Sequence, residues 1–190
     1  MTNIFKLDDR DKVAVFIDGI SLYNGARLYD ARVDYKALLN QLHQRSLSDG
    51  LPQNYIIDIR YYNFSIQNTD GVSVMRGLLD WLGYNGVAVC ARDKQSDTYG
   101  GHFCVDISVD VFNLINTIDH FVFIAHDPHL LPLFQDLRRR GKKVTLVCAH
   151  KVDHEPLAPA PSILRQSVHQ FIELGSIIKY MEVKNFDNGK

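Results

Sequence analysis

The chain has 190 residues, of which 46% are hydrophobic and 23% charged, with a formal net charge of −1. That length suits one domain with its own core, and the composition excludes disorder, collagen or a coiled coil as descriptions of the whole chain. A strongly basic balance, which drives nucleic-acid binding by counterion release, is missing, but an acidic centre that offsets basic surface elsewhere keeps a nuclease open. Three cysteines, an odd number, argue against a disulfide framework, and the spacing of Cys90 and Cys104 argues against a zinc site. The charged start MTNIFKLDDRDK and the lack of any apolar run near 18 residues predict an intracellular, cytoplasmic protein with no signal peptide and no membrane partner.

In chain order, Val13 to Ile17 is an apolar run rich in β-formers and reads as a buried strand ending at Asp18-Gly19. A helix can begin within Ser21 to Arg27, and a clearer one follows Asp34 as N-cap, with Leu38, Leu39 and Leu42 at helical spacing. Tyr55 to Asn63 reads as a second strand. Val74 to Leu82 reads as a helix stopped at Gly83, and Val87 to Cys90 as a third strand. Residues 92–102 form a polar, glycine-containing loop, and Val105 to Ile118 a helix that carries acids. Phe121 to Ala125 is another buried strand. Leu130 to Leu137 is a helix closed by Gly141, and Val144 to Cys148 a fifth strand. Residues 150–161 hold three prolines and read as a linker. Ile163 to Ile172 reads as a late helix, and Ser176 to Val183 as a final strand. Apolar strands that alternate with helices predict an α/β fold with a parallel sheet covered on both faces. Ligands of such sheets bind at the carboxyl ends of the strands.

Two of the most apolar strands run into aspartate there: Asp18 after VAVFI and Asp127 after FVFIAH. A carboxylate at the end of a buried strand costs desolvation unless a metal, a helix N-terminus or a partner offsets it. Asp106 and Asp110 lie four residues apart on one helix, so both fall on one face. If the four acids converge, they form an oxygen-rich pocket suited to Mg²⁺ or Mn²⁺ and to phosphodiester hydrolysis. The plainer alternative is that each strand-end aspartate is an Asx turn or the N-cap of the next helix.

The successive blocks VAVFIDGISLYN, CVDISVDVFNLI, FVFIAHDPHLLPLFQDLRRRGKKVTLV and PSILRQSVHQFIEL resemble those of the NYN domain, the LabA-like branch of the PIN-like nuclease superfamily. The resemblance runs over residues 13–175, leaving residues 1–12 as an N-terminal extension and 176–190 as a C-terminal strand or tail. It implies a Rossmann-like three-layer α/β/α fold with a central, mainly parallel sheet. It also implies a carboxylate cluster that binds Mg²⁺ or Mn²⁺ and cleaves RNA. On the matching positions, Asp18, Asp106, Asp110 and Asp127 would be catalytic, and Asp18, Asp106 and Asp127 would hold the metal.

Ser21 stands where the family's D-G-x-N block has asparagine, and AHDPHL stands where it has S-G-D-S-D-F. These departures motivate a second reading, a catalytically weak or inactive RNA-binding or regulatory module. Ser21, Asn24, His126 and His129 are supporting candidates beside the acids. Arg92, Lys94, Tyr99 and His102, in and beside the polar loop, are candidates to hold single-stranded RNA. Arg138 to Arg140 with Lys142 and Lys143 read better as cations at a helix C-terminus than as an RNA patch. Surface patches are invisible in a sequence, so a homo-oligomer stays open.

Overall fold

The computed structural model describes residues 5, 7, 11–43, 55–65, 75–93, 103–149 and 162–183. Six strands form one all-parallel sheet: β1 (Lys12–Asp18), β2 (Tyr55–Ser65), β3 (Ala88–Asp93), β4 (His120–Ile124), β5 (Lys143–Cys148) and β6 (Gln170–Glu173). Their order is β3-β2-β1-β4-β5-β6. Among the described residues seven helices accompany them: α1 (Gly19–Arg27), α2 (Tyr35–His43), α3 (Arg76–Tyr84), α4 (Cys104–Leu114), α5 (Leu131–Arg139), α6 (Ser162–Gln166) and α7 (Leu174–Ile177). A 3₁₀ turn, Pro128–Leu130, precedes α5, and another, Ile178–Tyr180, follows α7. Among the described residues, no helix is long and apolar enough to cross a membrane.

The sheet is buried on both faces because VAVFI of β1 and FVFI of β4 are apolar at every position. Val13, Val15 and Ile17 of β1 face a core shared with Leu22 of α1, Leu38 and Leu42 of α2, Leu82 of α3 and Ile177 of α7. Ala14 and Phe16 face the opposite core, with Ile107 and Val111 of α4, Phe134 and Leu137 of α5, and Leu164 of α6. Phe16 stacks on Phe123 with ring centroids 5.3 Å apart, and Phe123 packs on Phe134 at 4.7 Å. The result is the expected three-layer α/β/α architecture. In strand order 3-2-1-4-5-6 the chain reverses direction between β1 and β4, which opens a crevice outside their carboxyl ends.

Several boundaries differ from the expectations. The helix expected over Ile163 to Ile172 ends at Gln166, and Gln170–Glu173 pairs with β5 as a sixth strand. The reason is two-sided burial: Phe171 packs into one core and Ile172 into the other, as neighbouring strand residues do. The strand expected over Ser176 to Val183 is instead helical from Leu174 to Tyr180, leaving only an isolated antiparallel bridge between Val33 and Glu182. Glu173 caps α7 by accepting from the Ser176 amide at 2.8 Å, and Leu174, Ile177, Ile178 and Met181 turn one face inward. Helix α3 runs through Gly83 to Tyr84, and the chain turns at Gly86, whose φ of 80° supplies the left-handed conformation. Arg92 and Asp93 extend β3, while residues 94–102 and 150–161 lie outside the described residues.

Candidate active site

The crevice between β1 and β4 is where the two strand-end acids stand. Asp18 is the N-cap of α1: its Oδ1 accepts from the amides of Ile20 (3.0 Å) and Ser21 (3.3 Å). Asp127 is the N-cap of the turn before α5, its Oδ1 accepting from the His129 amide at 2.9 Å. The plainer alternative for both acids therefore holds as a local fact, because each satisfies orphan amides at a helix start. Capping engages one oxygen of each carboxylate. Gly19 makes room for this turn, since a Cβ there would collide with the Tyr61 hydroxyl.

Asp18 Oδ2 accepts from the Ser21 hydroxyl at 2.5 Å. Ser21 Oγ in turn lies 2.6 Å from His126 Nδ1 and 3.3 Å from the His126 amide. With its proton given to the carboxylate, the serine oxygen can only accept from the ring, so the imidazole donates from Nδ1. The order carboxylate–serine–histidine is the reverse of a nucleophilic triad, in which histidine stands between the other two. Asn24, one turn further along α1, lines a small cleft with Ser21, Gly25, His126 and Cys148. Burial pushes the Cys148 thiol there up to about 12. His129 Nδ1 approaches Asp127 Oδ1 at 2.8 Å, from a side chain 71% exposed onto one 8% exposed.

Cys104, the first residue of α4, ties the acids together. Burial pushes its thiol strongly up, and the adjacent Asp127 carboxylate and the charge of Asp18 push it further. Asp18 and Asp127 thus both lie near enough to Cys104 for their charges to act on its thiol. Asp106 lies in the first turn of α4 and pairs with Arg92 at the end of β3. Its Oδ2 is buried without a hydrogen-bond partner among the described residues. Buried carboxylate oxygens ordinarily meet a hydrogen-bond donor.

Asp110, one turn deeper on α4, has different partners. It accepts from Arg60 Nη1 at 2.6 Å and from the Tyr62 hydroxyl at 2.7 Å. Burial opposes the Arg60 charge, but the bonds to Asp58 and Asp110 outweigh it and hold the guanidinium above its ordinary value. Burial and the Asp110 carboxylate together raise the Tyr62 hydroxyl far above its ordinary range.

The structure thus links Asp18, Ser21 and His126, pairs Asp127 with His129, sets Cys104 of α4 beside both acids, pairs Asp106 with Arg92, and commits Asp110 to Arg60 and Tyr62. Among the described residues, no three His, Cys, Asp or Glu side chains stand in a metal-binding arrangement. The donor chemistry still fits a hard divalent cation: two strand-end carboxylates beside Cys104, and a buried Asp106 oxygen that meets no hydrogen-bond donor among the described residues. Of the RNA candidates, Arg92 is exposed beside Asp106, and Lys94, Tyr99 and His102 lie outside the described residues. Sequence reasoning missed Cys104, Arg60 and Tyr62; the only signal was that YIIDIRYYN places a cation and polar aromatics on an otherwise apolar strand.

With this geometry in place, the NYN domain profile matches residues 12–175. The chain belongs to the NYN domain family. The match is to the NYN domain as such and does not distinguish the LabA-like branch. NYN domains fall within the PIN-like nucleases, whose three-layer architecture this one shares. A crystal structure of a protein of unknown function from Vibrio parahaemolyticus is similar to it, with a TM-score of 0.69 at 16% identity, covering 94% of this chain and 99% of that one. At that identity the likeness concerns the fold. No curated protein matches the chain.

Proposed function

We propose that this NYN domain is a divalent-metal-dependent ribonuclease that hydrolyses single-stranded RNA at the carboxyl edge between β1 and β4, acting in the cytoplasm. The observation that carries the reading is the pair of strand-end carboxylates Asp18 and Asp127 beside Cys104 at the switch point, with a buried Asp106 oxygen on the same helix that meets no hydrogen-bond donor among the described residues. Asp18, Asp106 and Asp127 would hold Mg²⁺ or Mn²⁺, which suit carboxylate oxygens. When bound, the ion would lower the pKa of a water and offset charge that develops on the phosphate.

The chain's own residues prepare this chemistry. Ser21 fixes the Asp18 carboxylate and, through the same oxygen, orients the His126 ring for proton transfer. His129 orients Asp127 from the open side. Arg92 sets a guanidinium beside Asp106, where it can meet a phosphate. Asp110 acts at one remove by holding Arg60 and Tyr62 under the site.

One observation favours a second reading. Both α4 acids already carry an arginine partner, as suits an RNA-binding module that has lost catalysis. Cleavage of labelled single-stranded RNA in Mn²⁺, Mg²⁺ or EDTA separates the two. The ribonuclease reading expects metal-dependent cleavage that Asp18→Asn and Asp127→Asn each reduce at least about a hundredfold. RNA that is bound but uncut by the native protein supports the second reading.

A further inference from the structure

Outside the carboxylate edge, the feature with the most unassigned chemistry is a groove along the second half of α1 and the turn after it. Tyr23, Arg27, Asp30, Arg32 and Tyr35 line it, and its volume is about 520 Å³. That lies within the range of roughly 300–1,000 Å³ usual for ligand clefts.

Its cations, Arg27 and Arg32, are both exposed and hold no carboxylate among the described residues. Arg60, Arg92, Arg139 and Arg140, by contrast, each hold an aspartate. The turn after α1, with Asp30 at φ 51°, brings Arg32 round onto the groove that Arg27 lines. Asp30 shares the groove, so two guanidiniums face one carboxylate and the balance stays positive.

Its aromatic, Tyr23, is 57% exposed, and the Arg27 guanidinium lies 5.8 Å over its ring. Tyr23 and Arg27 stand one helical turn apart, so the pair offers a π-face with a cation beside it. Exposed aromatics next to basic groups are how proteins grip single strands without reading sequence.

Helix α1 links the groove to the candidate site. Helix α1 starts at Gly19, directly after its cap Asp18. At about 1.5 Å per residue, Arg27 lies about 13 Å along the helix axis from Asp18. One strand can occupy both places.

We propose that this groove is a second binding subsite for single-stranded RNA, with Arg27 and Arg32 on its phosphates and a base stacked on Tyr23. This rests on the RNA-binding part of the function proposed above. It places strand recognition on the α1 side of the crevice, opposite the β3 edge where Arg92 stands.

The test is fluorescence anisotropy of a fluorescein-labelled oligoadenylate in EDTA, where no cleavage occurs. All three side chains are exposed, so the variants keep the native melting temperature. The double variant Arg27→Ala/Arg32→Ala is expected to bind at least about tenfold more weakly, and the slope of log affinity against log salt to shrink by about 1.4, as loss of two single-strand phosphate contacts requires. Tyr23→Ala is expected to lose roughly tenfold while Tyr23→Phe binds normally, since stacking needs the ring and not the hydroxyl. Arg139→Ala, on the far side of the fold, is expected to change nothing. Native affinity and native slope in the double variant would overturn the proposal, and so would failure of the native protein to bind the oligonucleotide. If the groove variants lose binding and the native protein still cuts nothing in Mn²⁺, the subsite stands and the hydrolytic reading falls.

Discussion

Asp18 and Asp127 each hold two positions in the physics of this protein, and substitution can separate them. As caps they need an acceptor oxygen; as candidate ligands they need charge. Asp18→Asn keeps the cap oxygen and removes the charge, so urea denaturation is expected to show near-native stability while RNA cleavage collapses. Asp18→Ala removes both, and adds a loss of about 1 kcal/mol in stability. Asp110 belongs to a different balance. Its side chain and that of Arg60 are each 23% exposed and bonded at 2.6 Å, so Arg60→Leu leaves a part-buried carboxylate without its main partner. A loss of about 1–3 kcal/mol is expected in urea denaturation, and Asp110→Asn in that background should restore part of it. The acids themselves were legible in the sequence, because strand ends and an i,i+4 pair are one-dimensional patterns. Their partners were not. Which carboxylate meets Arg92, Arg60 or Cys104 depends on how α4 lies across β2 and β3, and no local spacing encodes that.

Among the elements, the strands of the central sheet could be read directly, because VAVFI and FVFI are apolar at every position and only a strand buried on both faces uses such a run. The C-terminal elements could not. Val168, Phe171 and Ile172 fit a helical spacing as well as a strand, and pairing with the open edge of β5 decided for the strand. The residues after it carried the truer helical signal: Leu174, Ile177, Ile178 and Met181 follow the i, i+3, i+4, i+7 pattern. Met181 is fully buried against the core that α1 and α2 share. Met181→Ala is expected to cost about 2–5 kcal/mol by denaturant titration, the penalty of a core truncation. A change near zero would show that these residues do not belong to the core.

For the whole molecule, strand order matters most. The order 3-2-1-4-5-6 gives one place where neighbouring helices leave the sheet in opposite directions, and the acids of β1 and β4 flank it. The basic run from Arg138 to Lys143 lies at the opposite end of the strands, at the C-terminus of α5, where Arg139 and Arg140 pair with Asp136 and Lys142 bonds the Ile118 carbonyl. That end carries a pH dependence of stability. His169 Nδ1 accepts the Val144 amide at 3.1 Å, which requires a neutral ring. Burial lowers the His169 pKa below its ordinary 6.5, and the charges of Arg138 and Lys143 lower it further. The unfolded chain therefore takes up this proton more readily than the folded one. The stabilisation is complete above the ordinary pKa and is lost as pH falls from there towards the lower folded value. The urea midpoint should drop between about pH 7.5 and about pH 5.5, with a smaller drop in His169→Gln.

The central claim is that Asp18, Asp106 and Asp127 form one cation-holding site, and Mn²⁺ titration followed by electron paramagnetic resonance tests it most directly. The native protein is predicted to remove Mn²⁺ from solution, with Asp18→Asn, Asp106→Asn and Asp127→Asn each weakening that uptake at least about tenfold, and with Arg139→Ala leaving it unchanged. Uptake that none of the three substitutions alters, or no uptake by the native protein, would contradict the account.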